Sequence, residues 1–387
     1  MSITQAVIVC GGYGKRLGKL TLKTPKPLIN VKNLTVLEHI IKNLSRFGIK
    51  KVILLGHYKY SLFEKKFHNK IFFGVKAFCI QEKKLLGSSG ALYHARKKLE
   101  KDFLFCNGDT FFDINISDLI YNYHKSKKIA FIALKKMKIR GSYDFFGLDK
   151  KKLLTQDTDK KLNLINSGIC ILSKKIIPYL VKLGSLEKDV FTKLIRIKKI
   201  SGSVYSDDFI DMGHISTLRK LPKFINKIFT KPALFLDRDG VINKDTGYVF
   251  EKNRFIWRKN IINFIKKYNK KNFYIFIITN QSGIGRGYYK EKDMLKLHSW
   301  MVDKIRSHGG NIDRIYFAPY FKDSKVNKYR LQKNLRKPNI GMIQRAREEF
   351  CVKMSQSFLI GDSQTDKQTA INAKIKFRIL NFESKLR

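Results

Sequence analysis

The sequence contains few acidic residues. Its 387 residues include 31 Asp and Glu against 79 Lys and Arg, which gives a formal net charge of +48. No apolar run approaches the roughly 18 residues of a membrane span, so no membrane partner is expected. The five cysteines are scattered without paired spacing, which argues against a disulfide framework and favours a reducing cytoplasm. The chain opens without the basic and apolar segments of a signal peptide, which also favours a cytoplasmic location.

The positive charge is spread along the chain rather than concentrated. Residues 1–230 carry a net +28 and residues 231–387 a net +20, so neither part is a basic tail or a single basic domain. A charge excess of this size first suggests nucleic acid as a partner. The even spread instead favours a compositional bias together with anionic small-molecule substrates, and no nucleic-acid partner is expected.

Short apolar runs alternate with helical patterns, and this alternation predicts an α/β fold. The pattern restarts near Pro232, which predicts two domains, each a mostly parallel sheet with helices on both faces. We expect the domains at residues 1–221 and 232–387, with the basic segment 222–231 as the linker. The predicted strands are 6–10, 51–55, 103–106, 129–134, 233–236, 274–279, 314–318 and 357–360, and the predicted helices are 35–47, 88–99, 258–268, 290–307 and 339–350.

The first predicted strand leads into a glycine-rich segment, "GGYGKRL". Gly11, Gly12 and Gly14 allow the backbone to turn tightly and to direct N–H groups at phosphate oxygens. Arg16 adds a guanidinium for the same oxygens. Lys26 lies between two prolines in "TPKPL", a rigid segment that can direct its ammonium group at a developing charge. A plain tight turn and a solvated loop lysine are the alternatives.

Two carboxylates occupy strand ends further along the chain. Asp109 follows a buried strand, and Asp211 has a similar context in "FIDMGH". Together they could hold one Mg²⁺ against a nucleoside triphosphate, although each alone is more often a cap or turn residue. The segment "GSSGAL" opens a helix with small residues that suit close packing against a base or sugar. The candidate nucleotide contacts in and before it are Gly87, Gly90, Gln81 and Glu82.

Together these segments resemble the sugar-phosphate nucleotidylyltransferases, in order and across roughly residues 3–220, including "INSGI" (165–169) and "GSLEKDVF" (184–191). The resemblance implies a Rossmann-like domain that binds a nucleoside triphosphate, a sugar phosphate and Mg²⁺. The implied roles are triphosphate and transition-state stabilisation by Arg16 and Lys26, Mg²⁺ binding by Asp109 and Asp211, nucleotide contacts by Gly11, Gly12 and Gly90, and sugar-phosphate contacts by Asn166 and Glu187. The family's usual Glu-Lys pair before "NSG" is not evident; "TQDTDKK" (155–161) stands there.

The second half carries four short polar motifs. Asp237 and Asp239 in "DRDGVIN" lie on one face of an extended segment, where one carboxylate can attack phosphorus and the other can protonate the leaving oxygen. A calcium loop or polar turn is the alternative, but the segment supplies too few oxygen ligands for calcium. The other motifs supply Thr279 and Asn280 for phosphate contact, Lys337 as a positive charge, and Asp362 to complete a metal site.

These four motifs resemble the haloacid dehalogenase superfamily of phosphatases, across roughly residues 233–381, and within it the group that contains heptose bisphosphate and histidinol phosphatases. The resemblance implies a nucleophile at Asp237, an acid/base at Asp239, and Mg²⁺ ligands from Asp237, the backbone carbonyl of Asp239, and Asp362. It also implies substrate contact by Arg286 or Arg336. Members of this group often have a zinc loop before "RKP"; residues 319–335 contain no Cys or His, so no zinc is expected.

The combination of the two halves discriminates among functions. A phosphatase that removes the 7-phosphate of heptose 1,7-bisphosphate yields a sugar 1-phosphate, which is the substrate class of a nucleotidyltransferase. We therefore expect a bifunctional enzyme that makes a nucleotide-activated heptose, with GTP favoured as the nucleotide by pathway context. The alternatives are another sugar or base with a phosphatase half of different or lost activity, a scaffolding C-terminal domain, and a nucleic-acid-binding protein. A homo-oligomer is possible.

Overall fold

The computed structural model describes residues 3–137, 145–156, 164–330 and 334–380. It divides into two compact units, Met1–Ile225 and Asn226–Arg387. The break falls inside the segment expected to be a linker, where the structure has a continuous helix, Ile215–Phe229. The expected bounds of the two domains stay a prediction. Within the described residues, no helix is both long enough and apolar enough to cross a membrane.

The N-terminal unit is built on a ten-stranded mixed sheet. The strands of the unit in chain order are β1 Gln5–Val9, β2 Asn30–Val31, β3 Leu34–Thr35, β4 Lys51–Gly56, β5 Ile71–Phe72, β6 Val75–Gln81, β7 Asp102–Asn107, β8 Thr110–Phe112, β9 Ala130–Lys136, β10 Phe145–Leu148, β11 Leu154–Thr155, β12 Leu164–Ser173, β13 Ile200–Tyr205 and β14 Phe209–Asp211. Ten of the strands described in this unit form the sheet, and β2 with β3 and β8 with β14 form separate pairs. The main order is β11-β10-β12-β7-β1-β4-β6-β5, while β9 pairs with β12 and β13, and β8 and β14 form a separate antiparallel pair.

The four central strands, β7-β1-β4-β6, are parallel, so their carboxyl ends share one edge of the sheet. Val7 and Phe105 pack into one core, while the alternate residue Ile8 is also completely buried, as expected for strands covered on both faces. The helices of this unit are α1 Lys19–Lys23, α2 Val36–Ser45, α3 Tyr60–Phe67, α4 Gly87–Ala95, α5 Ile116–Ser126 and α6 Thr192–Arg196, followed by α7 Ile215–Phe229 at the boundary.

The C-terminal unit contains a five-stranded parallel sheet in the order β18-β17-β16-β20-β21. Its strands are β15 Thr230–Lys231, β16 Ala233–Leu236, β17 Tyr274–Asn280, β18 Arg314–Ala318, β19 Cys351–Val352, β20 Phe358–Ile360 and β21 Lys376–Arg378, with β15 and β19 forming a separate pair. Its helices are α8 Ile261–Lys270, α9 Ser282–Gly285, α10 Glu291–Arg306, α11 Gly341–Glu349 and α12 Gln364–Asn372.

Alternate residues of β16 serve two cores in this sheet. Leu234 and Leu236 pack with residues of α8 and α10, whereas Ala233 and Phe235 pack with residues of α11 and α12. Helices therefore cover both faces, which confirms the predicted α/β class. All eight predicted strands and all five predicted helices are present, with ends shifted by a few residues.

Candidate active sites

The glycine-rich turn after β1 forms one wall of a cavity of about 180 Å³. Gly14 has a φ of +67°, and its carbonyl accepts a hydrogen bond from the Thr21 hydroxyl at 3.1 Å. Lys26 begins a short 3-10 helix after Pro25 and is only 8% exposed. The turn and the lysine thus border one cavity, the arrangement that a phosphate pocket requires. The cavity is also lined by Val9, Cys10, Gly12, Pro27, Asn107, Gly108 and Asp109.

Asp109 and Asp211 lie near one another at the carboxyl edge of the N-terminal sheet. Lys26 Nζ is 3.4 Å from Asp109 Oδ2. The antiparallel pairing of β8 with β14 places Asp211 opposite Thr110, and the Met212 N–H donates to the Asp109 carbonyl at 3.0 Å. The structure therefore brings together two carboxylates that are about 100 residues apart in sequence.

Arg16 reaches the same edge from the glycine-rich turn. A Cβ added at Gly213 would lie 3.2 Å from Asp211 Oδ1 and 3.4 Å from Arg16 Nη1, so the carboxylate and the guanidinium border one point. The two aspartates offer the oxygen ligands that Mg²⁺ prefers. Arg16 and Lys26 offer positive charge for phosphate oxygens. This donor set fits a magnesium–triphosphate group.

Asn166 and Glu187 form one hydrogen-bonded cluster. Asn166 Nδ2 donates to Glu187 Oε1 at 3.0 Å, and Glu187 Oε2 accepts from the Ser185 hydroxyl at 2.8 Å and the Ser88 hydroxyl at 3.3 Å. The register of β12 shifts between Asn166 and Cys170, which marks an irregularity at the asparagine. The two predicted sugar-phosphate residues are thus adjacent, and Ser88 is a member of the cluster that sequence reasoning missed. Residues 157–163, which include part of "TQDTDKK", lie outside the described residues.

Gly87 and Gly90 face protein backbone. A Cβ added at Gly87, where φ is +74°, would overlap the Gly184 carbonyl, and one at Gly90 would lie 2.5 Å from the Lys182 carbonyl oxygen. Close approach of residues 182–184 therefore explains why both positions are small. Their predicted contact with a nucleotide stays a prediction.

Gln81 and Glu82 differ in accessibility at the end of β6. Gln81 is exposed, whereas Glu82 is 2% exposed and lies beneath the glycine-rich turn, where a Cβ at Gly11 would be 3.0 Å from Glu82 Oε1. Burial raises the pKa of the Glu82 carboxyl. In the described part of the chain, Oε1 has no hydrogen-bond partner. Gln81 is therefore the more accessible of the two candidate base contacts, and Gly12 has open space beside it.

Three carboxylates meet at the carboxyl ends of β16 and β20. Asp237, Asp362 and Asp366 each contribute an oxygen, and these oxygens lie within 4.8 Å of one another. Sequence reasoning selected Asp237 and Asp362 as metal ligands but gave Asp366 no role. The "SQTD" pattern could have indicated its place, because Ser363 and Asp366 form a capping box at the start of α12.

Lys337 lies between two of these carboxylates. Its Nζ is 2.9 Å from Asp237 Oδ2 and 2.5 Å from Asp366 Oδ1, and its side chain is 3% exposed. Burial alone would lower the pKa of Lys337, but the charges of Asp237 and Asp366 outweigh burial and raise it, so the ammonium form is held. Burial raises the pKa of Asp237 to about 7, against the opposing effect of Lys337.

The carboxylate cluster fits a divalent cation. Burial and the neighbouring Asp366 charge raise the pKa of Asp362, because both disfavour its ionised form. A cation bound between the carboxylates would offset their mutual repulsion. Gly240, with a φ of +82°, carries the "DRDG" turn so close to Asp362 that any Cβ would overlap its carboxylate. Three closely spaced carboxylate oxygens suit Mg²⁺, which usually keeps waters and substrate phosphate as its remaining ligands. The cluster borders a cavity of about 290 Å³.

The Asp239 side chain is turned to a different set of partners. Arg238 donates to both of its oxygens at 2.8 Å, Asn243 Nδ2 donates to Oδ1 at 2.9 Å, and Gln281 Nε2 donates to Oδ2 at 3.0 Å. This side chain is outside the carboxylate cluster, which is compatible with a metal contact through its backbone carbonyl alone. The four-residue arrangement fixes both oxygens of the predicted acid/base.

Arg238 is only 1% exposed, and its guanidinium is held by two further partners. Its Nη2 donates to the Val249 carbonyl at 2.7 Å, and its Nη1 lies 3.1 Å from His298 Nε2. Burial and the Arg238 charge lower the pKa of His298, so the neutral imidazole accepts this hydrogen bond. Neither Arg238 nor His298 was singled out from the sequence, because no local sequence pattern indicates a contact between residues 60 positions apart.

Thr279 and Asn280 both line the cavity at the end of β17. The Asn280 carboxamide is already engaged, because its Nδ2 donates to the Lys337 carbonyl at 3.1 Å and its Oδ1 accepts from the Lys337 N–H at 3.0 Å. Asn280 therefore fixes the backbone of Lys337. Its predicted phosphate contact would compete with these two bonds.

Arg286 and Arg336 are neighbours beside the loop that follows β18. The Arg286 guanidinium lies 3.7 Å from the ring centroid of Phe321, and Arg336 Nη1 donates to the Tyr320 carbonyl at 3.1 Å. Burial and then the Arg286 charge lower the pKa of Arg336. In the described part of this loop, Ser324 and Tyr329 stabilise its conformation. The Ser324 hydroxyl donates to the Gly285 carbonyl at 2.6 Å, and the Tyr329 side chain is buried.

Similarity to known proteins assigns each unit. Residues 5–227 match the family described as "Nucleotidyl transferase", which is more than half of the chain. The D-glycero-alpha-D-manno-heptose-1,7-bisphosphate 7-phosphatase of Burkholderia mallei is 39% identical over 148 residues, which are 38% of this chain and 78% of that protein. The chain belongs to the nucleotidyl transferase family and to the phosphatase family of this relative. We call its units the transferase unit and the phosphatase unit.

Further similarities agree with both assignments. The D-glycero-beta-D-manno-heptose-1,7-bisphosphate 7-phosphatase of Rhodopseudomonas palustris is 42% identical over 145 residues, 38% of this chain and 81% of that protein. Residues 233–379 also match the family described as "Polynucleotide kinase 3 phosphatase". The crystal structure of HddC from Yersinia pseudotuberculosis superposes with a TM-score of 0.51 at 25% identity, over 57% of this chain and 99% of HddC. A second HddC structure contains GMP-PN.

Replacing Asn280 by alanine is expected to lower phosphatase kcat about tenfold to a hundredfold, because Lys337 loses both hydrogen bonds that fix its backbone. Asn280→Asp keeps the acceptor for the Lys337 N–H but sets its second oxygen against the Lys337 carbonyl, so it is also expected to lose activity. The measurement is steady-state phosphate release, with nucleotidyl transfer by the same protein as the internal control. Equal rates for Asn280→Ala and wild type would show that Lys337 needs no such support.

Proposed function

We propose that the chain is a bifunctional enzyme of nucleotide-sugar synthesis. Its phosphatase unit removes the 7-phosphate of D-glycero-D-manno-heptose 1,7-bisphosphate. Its transferase unit then transfers a GMP group from GTP to the resulting heptose 1-phosphate, which yields GDP-heptose and pyrophosphate. The observation that carries this proposal is that one chain is similar both to heptose-bisphosphate phosphatases, at 39% and 42% identity, and to HddC, at 25% identity.

Phosphate removal proceeds in two steps in the phosphatase unit. An Asp237 carboxylate oxygen attacks the phosphorus, the bond to the sugar oxygen breaks, and Asp239 gives its proton to that oxygen. Asp239 then accepts a proton from a water whose oxygen attacks the phosphoaspartate, so the bond to Asp237 breaks and inorganic phosphate forms. Lys337, 2.9 Å from Asp237, compensates the negative charge that gathers during both steps.

Mg²⁺ is proposed as the cofactor of both units. When bound, it neutralises charge on the reacting phosphate and on the carboxylates around it. Asp237, Asp362 and the backbone carbonyl of Asp239 would hold it in the phosphatase unit, with Asp366 as a further carboxylate within reach of the same cluster. Asp109 and Asp211 would hold it in the transferase unit, where they share a sheet edge.

The pair Arg286 and Arg336 supports a substrate with a second anionic group. Arg286 and Arg336 contact the consecutive residues Phe321 and Tyr320, and an anion bound by both guanidiniums would offset the repulsion between their charges. Arg286 Nε is buried and has no hydrogen-bond partner in the described residues. A phosphate at carbon 1 of the heptose, retained while the 7-phosphate is removed, fits this requirement.

Nucleotidyl transfer needs only positioning and charge neutralisation. An oxygen of the sugar 1-phosphate attacks the α-phosphorus of the triphosphate, the bond to the β-phosphate oxygen breaks, and pyrophosphate leaves. Lys26 and Arg16 stabilise the charge that develops on the phosphate oxygens. Asn166 and Glu187 hold the sugar phosphate. The guanine nucleotide is supported by the GMP-PN complex of HddC, and a cytoplasmic location by the lack of paired cysteine spacing.

The full-length protein should convert heptose 1,7-bisphosphate, Mg²⁺ and GTP into GDP-heptose, identified by mass. Both anomers should be supplied, because the names of the relatives include the alpha and the beta sugar. GTP should be used at least about tenfold more efficiently than CTP, UTP or dTTP. Phosphate release without a nucleotide sugar from any triphosphate would reject the transferase assignment, and a nucleotide sugar formed only from added heptose 1-phosphate would reject the phosphatase assignment.

A further inference from the structure

Gln281 lies at the centre of a buried hydrogen-bond chain beside the phosphatase cavity. It is 2% exposed and directly follows β17. Its Nε2 donates to Asp239 Oδ2 at 3.0 Å and to Thr279 Oγ1 at 2.8 Å, and its Oε1 accepts from the Tyr289 hydroxyl at 2.7 Å. Both ends of the carboxamide are therefore engaged, and the side chain has one orientation that satisfies all three partners.

Reversing the carboxamide would place two acceptors against each other. Oε1 of Gln281 would then face the carboxylate of Asp239, which carries no donor when ionised. Tyr289 reinforces the observed orientation, because its hydroxyl meets the oxygen end. The Tyr289 ring is 6% exposed and stacks on Phe250 with centroids 4.7 Å apart and planes 13° apart, so the hydroxyl is held in place.

Gln281 is the partner of Asp239 that comes from a different strand end. Arg238 and Asn243 also hold the carboxylate, but both belong to the same turn as Asp239. Gln281 instead directly follows β17, and Thr279 near the end of that strand lines the cavity. Gln281 therefore fixes the Asp239 carboxylate relative to the carboxyl end of β17, where Thr279 is expected to contact the phosphate.

We propose that Gln281 is a positioning residue for Asp239, and that Tyr289 holds Gln281 in the orientation that makes this possible. The proposal rests on the phosphatase function proposed above. A general acid must lie within hydrogen-bond reach of the oxygen that it protonates, and a displacement of about 1 Å can cost about a hundredfold in rate. Loss of Gln281 should therefore lower the cleavage rate most for substrates whose leaving oxygen must be protonated, and least for those whose leaving group departs unprotonated.

Leaving-group dependence separates this role from a merely structural one. The test uses full-length Gln281→Glu, Gln281→Met and Tyr289→Phe with p-nitrophenyl phosphate, phenyl phosphate and heptose 1,7-bisphosphate. Gln281→Glu can take up a proton beside Asp239 and donate it, so its loss should be smaller than that of Gln281→Met. For Gln281→Met, which keeps about the length of the side chain but removes the donor, kcat/KM should fall at least about thirtyfold on phenyl phosphate and the sugar. It should fall less than about threefold on p-nitrophenyl phosphate, whose leaving group departs without protonation. Tyr289→Phe should show the same ordering with smaller losses.

Parallel losses on all three substrates, or no loss for Gln281→Met on phenyl phosphate, would overturn the proposal. Tyr289→Phe removes a single hydroxyl and keeps the comparison decisive if a Gln281 variant fails to fold. Nucleotidyl transfer by each variant serves as the control for the transferase unit. The aryl phosphates also keep the two proposals apart, because wild type that cleaves them but not heptose 1,7-bisphosphate would reject the sugar substrate and leave the Gln281 comparison intact.

Discussion

Asp237→Asn is expected to lower phosphate release by about 10⁴-fold or more while nucleotidyl transfer continues at the wild-type rate. The amide cannot attack phosphorus, and Asp237 is the carboxylate that both follows β16 and contacts Lys337. The variant should fold, because Lys337 keeps its ion pair with Asp366 and the acidic cluster loses one charge. The measurement is phosphate release from heptose 1,7-bisphosphate, alongside nucleotide-sugar formation from supplied heptose 1-phosphate.

The same chemical change at an exposed position provides the matched control. Asp303 lies on the solvent side of α10, and Asp303→Asn should leave both activities unchanged. Phosphate release by Asp237→Asn at a rate near that of wild type would place the nucleophile elsewhere. Loss of both activities with intact folding would contradict two independent catalytic units.

The positions of the main strands could be predicted because each is a short apolar run bounded by polar or glycine residues. The run "ALFL" gives β16 with both ends correct, and "RIYFA" gives β18. The chemistry could be placed for a related reason, since polar residues directly after parallel strands must share one sheet edge. This is why Asp237 and Asp362, which follow β16 and β20, could be grouped from the amino-acid sequence, whereas Lys337 lies in the loop before α11 and was grouped with them through the family resemblance.

The support of these residues could not be predicted, because it depends on register and on contacts between distant segments. Gln281 meets Asp239 across 42 residues, and Arg238 meets His298 across 60. Asn280 was expected to contact phosphate from its place after β17, yet its carboxamide pairs with the backbone of Lys337. A sequence motif shows that a polar side chain lies near a site, but it does not show which partner that side chain meets.

Small residues were open to two explanations that only the structure separates. Gly87 and Gly90 suggested a surface for a base or sugar, but the backbone of residues 182–184 fills the space where their Cβ atoms would be. Gln81 and Glu82 looked equivalent as base contacts, yet burial differs sharply between them. Tertiary packing, which has no local signature in the sequence, explains the small size of Gly87 and Gly90 and the different exposure of Gln81 and Glu82, while their nucleotide contacts stay a prediction.

Asp109→Asn is expected to produce the converse separation, with nucleotidyl transfer reduced about a hundredfold to a thousandfold and phosphate release unchanged. The amide removes the negative charge that lies 3.4 Å from Lys26 Nζ, and it would weaken the binding of the Mg²⁺ proposed to lie between Asp109 and Asp211.

Raising the Mg²⁺ concentration distinguishes these two contributions to the Asp109→Asn loss. If Asp109 acts as a metal ligand, higher Mg²⁺ should restore part of the activity, whereas a role limited to orienting Lys26 predicts no recovery. Asp149→Asn is the matched control, since Asp149 lies in an exposed turn where an amide oxygen can still accept from the Leu153 N–H. An Asp109→Asn protein that transfers nucleotide at the wild-type rate would remove Asp109 from the catalytic site, and the metal would then have to be held without it.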